Sequence, residues 1–81
     1  MTLVPRFFFN MVDGDLIEDR EGLILDNLGS ALAIAVKSAR EIMADQVKEG
    51  DLSLAERIDV INEGGEVVGC IEFRDAVTIH D

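Results

Sequence analysis

From Asp26 to Gly50 the chain runs without a proline and with one internal glycine, Gly29, while its apolar residues return every three or four positions. Leu28, Ala31, Leu32, Ala35, Val36, Ala39, Ile42, Met43 and Val47 fall on one stripe at the helical period. Lys37, Glu41, Asp45 and Lys48 fall opposite. The pattern predicts one long helix over about Asp26 to Lys48, with Asp26 as N-cap and Gly50 as the first residue beyond its C-cap. Ala31, Ala35 and Ala39, four apart, keep the stripe low, so this helix can lie close to a mostly aliphatic sheet. Ile34 stands off the stripe and is expected to be partly exposed.

The flanking segments supply that sheet. Residues 6–12, RFFFNMV, suit a strand, with Phe7, Phe9 and Met11 on one face and Phe8, Asn10 and Val12 on the other. Asp13-Gly14-Asp15 carries turn chemistry. A short apolar pair, Leu16 and Ile17, precedes the polar run E-D-R-E-G, and Leu23 to Leu25 reads as a second strand, antiparallel to the first. Beyond the helix, Arg57 to Asn62 and Val67 to Phe73 read as two more strands. Glu63-Gly64-Gly65-Glu66 between them suits a two-residue type I′ hairpin turn. Val67, Gly69, Ile71 and Phe73 are expected to face the helix, with Gly69 leaving it room or marking a bulge. The tail from Asp75 to Asp81 reads equally as a strand extension or a short turn. The expectation is a single ββαββ domain over 1–81, of the α+β class. Placing strand 1 between strands 2 and 3 gives a fully antiparallel sheet of order 2-1-3-4, whose most buried strand is the one with three phenylalanines. The helix would cross over that strand in a right-handed connection.

A chain of 81 residues has little core to spare. Small domains compensate with disulfides, a metal or a second subunit. A single cysteine, Cys70, allows no intrachain disulfide, and with His80 as the only other soft ligand a structural zinc site is excluded. Oligomerisation remains. One cysteine fits a reducing cytoplasm. The opening MTLVPRFFFNMVDG is broken by Pro5, Arg6 and Asn10, too short to span a bilayer and without the marks of a signal peptide. A soluble cytoplasmic protein is expected. Seven basic against 17 acidic residues give a net charge of −10, which argues against nucleic acid and anionic membranes as partners.

The acidity concentrates between Asp13 and Asp26, where Asp13, Asp15, Glu18, Asp19, Glu21 and Asp26 meet one base, Arg20. Loop 13–21 offers oxygen ligands for a cation or a small ligand, yet counted from Asp13 it puts Ile17 and Glu18 where a calcium loop needs a ligand and a glycine. A solvated turn is the default reading of this loop. His80, near the end of the sequence, reads as a surface residue, and Cys70 as an unactivated thiol. Ser30, Ser38 and Ser53 lack the context of a nucleophile, and G-G-E-V-V-G at 64–69 lacks the lysine and helix of a phosphate loop. No catalytic residue, cofactor or metal site is expected. The far face of the sheet says more: Phe8, Val12, Ile24, Ile61, Val68 and Cys70 would form an apolar patch of the size that marks a partner surface. Phe8, Val12, Ile61, Val68 and Cys70 are the expected interface, for a second copy of the chain or another protein.

Taken in order, P-R-F-F-F-N at 5–10, D-G at 13–14, D-R-E-G at 19–22, L-D at 25–26, A-R-E-I-M-A-D at 39–45, I-D-V-I-N-E-G-G at 58–65 and F-R-D-A at 73–76 resemble a family of small uncharacterised alphaproteobacterial, rhizobial-type proteins. Asn10 and Val12 depart from the histidine or aspartate and the basic residue expected of that family. The resemblance implies a domain of unknown function in a bacterial cytosol, and no activity.

Overall fold

The computed structural model describes residues 5–81. The first four residues of the apolar opening, read above as part of no leader or span, lie outside the described residues. Strand β1 (Arg6–Val12) is the aromatic strand the sequence predicts. Two two-residue strands share one of its edges: β2 (Leu16–Ile17) and β3 (Leu23–Ile24). β2 pairs antiparallel with Met11 and Val12, and β3 pairs antiparallel with Arg6 and Phe7. The sheet therefore has five strands rather than four, because the apolar pair Leu16–Ile17, ahead of the expected second strand at Leu23, forms a strand of its own. Between the two, the Asp19 carboxylate takes the Phe9 N–H of β1 in place of a strand carbonyl.

Helix α1 (Leu28–Lys48) follows β3, and the sheet resumes with β4 (Arg57–Ile61) and β5 (Val67–Glu72). The order is β2/β3, β1, β4, β5, with every neighbouring pair antiparallel, as expected. The N-cap is Asn27 rather than Asp26: its side chain accepts from the Ser30 N–H at 2.9 Å, a reach that Asp26 has one residue too early. At the other end Gly50, at φ 81°, follows the C-cap Glu49 as predicted. Its N–H bonds the Val47 carbonyl and that of Asp51 bonds Gln46, a Schellman closure.

The alanine stripe does what its spacing predicts. Ala31, Ala35 and Ala39 are fully buried, and Ile34 is half-buried. The helix rests chiefly on β4 and β5, however, rather than over β1. Ile58 and Val60 of β4 are buried, Val60 completely, while in β1 only Phe7 is buried and Phe9 and Met11 are half-buried. Gly69 explains the shift. A Cβ there would stand 2.6 Å from Leu32 Cδ2, so the missing side chain is the slot into which the helix settles.

Gly69 also follows a bulge. Val60 pairs with Gly69 but Ile61 pairs with Val67, leaving Val68 as the extra residue. Alternation is reset there: Val68 packs against the core and Val67 turns out, 61% exposed, the reverse of the expectation. The hairpin turn differs too. The Gly65 N–H bonds the Asn62 carbonyl, and only Gly65 has positive φ, 81°. This is a three-residue loop built on a type I turn and a left-handed glycine, closed by the Asn62 side chain accepting from the Glu66 N–H.

β5 ends at Glu72. Phe73, expected as its last residue, instead opens a short turn of helix, α2 (Phe73–Ala76), and is completely buried. Its N–H bonds the Glu56 carbonyl, and Arg40 on α1 donates from Nε to the Ala76 carbonyl at 2.8 Å. Burying a side chain of this size contributes about 1.5–3 kcal/mol, enough to turn an ambiguous tail inward. Residues 77–81 carry no regular structure. Among the described residues no helix is long and apolar enough to cross a membrane.

Candidate functional site

Because α1 and α2 lie on one side, alternate residues of β1, β4 and β5 face away from them, and the register sets these in rows. Phe8, Ile61 and Val67 form an apolar row. One step along, Asn10, Asp59 and Cys70 form a polar row; beyond it stand Val12, Arg57 and Glu72. Leu16 extends the last row beside Val12, and Ile24 sits beside Arg6 at the opposite end. Ile24, Val67 and Leu16 are 56, 61 and 57% exposed, so this face carries large apolar side chains that the fold leaves in water.

The loop between β2 and β3 holds the apolar row in place. The Asp19 carboxylate accepts from Phe9, Glu21 and Gly22 N–H groups at 3.0–3.1 Å, while the Asp19 N–H donates to Asn10 Oδ1. Partial burial pushes the Asp19 carboxyl up, but the N–H groups of Gly22, Phe9 and Glu21 outweigh it and its pKa is lowered. Gly22, at φ 67°, lies against both the Phe7 carbonyl and the Phe8 ring. Arg6 adds a bond from its guanidinium to the Glu21 carbonyl at 2.6 Å, and its N–H donates to Glu63 Oε1. D-R-E-G is thus a strap that seats Phe8.

The polar row is tied to residues beside it. Arg57 Nε lies 3.1 Å from Asp59 Oδ1. Partial burial pushes the Cys70 thiol up, and the Asp59 carboxylate beside it pushes it further. A thiol held protonated is a poor nucleophile. Asn10 accepts from the Asp19 N–H and Asp59 from Arg57 Nε, so both side chains are held by their neighbours.

Of the expected interface residues, Phe8, Val12 and Ile61 lie half-buried on this face and Cys70 is exposed on it. Val68 is not on it: the bulge takes it to the core. Val67 takes its place, and the glycine after two valines was the one signal of that exchange. In the acidic loop Asp19 is committed to backbone N–H groups, and among the described residues no three His, Cys, Asp or Glu side chains gather as a metal site would require. His80 is exposed in the irregular tail. Elsewhere a shallow hollow of about 390 Å³ opens among Ile42, Asp45, Gln46, Glu49 and Asp51, but the Gln46 amide is already held by Glu56 and the Ser53 N–H.

The model of a family described as a domain of unknown function, DUF6894, matches residues 6–74, from the start of β1 into α2. No curated protein and no solved structure matches the chain.

Proposed function

The chain belongs to the DUF6894 family, and on that premise we propose that it is a non-enzymatic protein-interaction module working through the uncovered face of its sheet. The observation that carries this reading is the apolar row Phe8, Ile61 and Val67, flanked by Ile24 and by Val12 with Leu16, on a face with no covering layer. Contiguous apolar surface of this kind is costly in water and is retained where a partner covers it. The polar row beside it supports the same reading, since Asn10, held by Asp19, and Asp59, held by Arg57, give a partner a fixed pattern to align on. A bacterial cytoplasmic setting follows from the family resemblance and the lone cysteine. The test is affinity capture from the native cell extract with three baits: wild type, Val67→Asp, and Lys37→Glu on the solvent side of α1. A partner retained by wild type and Lys37→Glu but lost with Val67→Asp bears the reading out. A partner lost only with Lys37→Glu would move the interface to the helix.

A further inference from the structure

On the reading that the uncovered face is an interaction surface, we infer that its occupant is a second copy of the chain, packed sheet on sheet about a two-fold axis along the row Phe8–Ile61–Val67. The first argument is charge. The chain carries −10, yet on this face Arg6 and Arg57 are matched by Asp59 and Glu72. A basic partner would be drawn to the rest of the molecule, whereas a neutral face bearing both signs is the one place where two such acidic chains can meet. The second argument is symmetry. Two faces packed about a two-fold axis present each residue to its own image, shifted by the distance from the axis. An axis between rows would lay the apolar row on the polar one. An axis along Phe8–Ile61–Val67 lays that row on itself and sets Asn10 of one copy, with Asp59 beside it, over Arg6 of the other.

The footprint sets the strength. Four strand positions span about 19 Å and three rows about 20 Å, so the pair covers roughly 800 Å² before side-chain relief is counted. That falls below the ~1,200 Å² of stable complexes, which marks the dimer as a weak, reversible one. The axis also sets distances: with sheets ~10 Å apart, Ile61 faces its own image at about that distance, while Cys70, one row away, is roughly 17 Å from its image.

The experiment combines sedimentation at moderate salt with cross-linking by a short bis-maleimide. Wild type should sediment as a dimer at tens of micromolar. Val67→Asp, at a site exposed in the single chain and so no threat to folding, should lose the dimer while keeping its helical circular dichroism. Ile61→Cys combined with Cys70→Ser should cross-link into dimers, and wild type through Cys70 should not. A wild type that stays monomeric, a Val67→Asp that still dimerises, or cross-linking through Cys70 in preference to position 61 each overturns the inference. The capture experiment decides the broader reading separately: a monomer whose partner is lost with Val67→Asp keeps the face and refutes only the second copy.

Discussion

Gly22→Ala should be among the most damaging one-methyl changes in this protein, and Gly65→Ala supplies its control. Both glycines have positive φ, 67° at Gly22 and 81° at Gly65. An alanine in that region costs roughly 1–2 kcal/mol, less the ~0.4–1 kcal/mol gained by restricting the unfolded chain. At Gly65 a Cβ meets nothing within 4 Å, so Gly65→Ala should lose only that difference, about 1 kcal/mol. At Gly22 the Cβ would stand 2.6 Å from the Phe7 carbonyl oxygen and 2.9 Å from the Phe8 ring. The oxygen is backbone, and it belongs to a residue paired with Leu23, so it yields only if the β1–β3 ladder opens. Overpacking of this kind adds about 1–3 kcal/mol, bringing the expected loss to roughly 2–4 kcal/mol. Urea unfolding followed by circular dichroism reads both variants, with m expected unchanged. Equal midpoints for Gly22→Ala and Gly65→Ala would refute the close approach of the strap to β1, and with it the seating of Phe8.

Ala35→Phe should lose about 1–3 kcal/mol by lifting α1 from the sheet, while Ala33→Leu on the exposed side should move the denaturant midpoint little. Asp19 gives a pH dependence of defined sign. Its folded pKa is lowered, so its contribution is complete above the ordinary carboxylate value of about 4 and is lost as pH falls through the lowered value. Acid titration of stability should therefore be shallower in Asp19→Asn than in wild type, and parallel curves would disprove the strap's charge. Cys70, exposed but with its pKa raised, should react with iodoacetamide at neutral pH more slowly than a free thiol, and Asp59→Asn should speed it; an unchanged rate would rule out control by Asp59.

How much of this could be read from residue order follows from the range of the forces involved. The long helix, its alanine seam and the glycine beyond its end were legible because periodicity and capping act within a few residues, and Ala31, Ala35, Ala39 and Gly50 behave as that local pattern dictates. β1 and the antiparallel order were legible for the same reason, combined with the few ways short connections can join strands. The departures are of two kinds, details of a cap and a turn settled within three residues and shifts imposed by partners farther along the chain. Asn27 rather than Asp26 reaches Ser30, and the turn after Asn62 takes three residues instead of two, both local matters. Phe73 leaves its strand because Glu56 and the underside of α1 receive it. The interaction face shows the division most sharply. Alternation alone placed Phe8, Val12, Ile61 and Cys70 on it, because a strand's two sides are a local property. Only tertiary structure decided between Val67 and Val68, since the bulge that exchanges them is a feature of how β5 pairs with β4, and only there does Gly69 meet Val60 while Val67 meets Ile61.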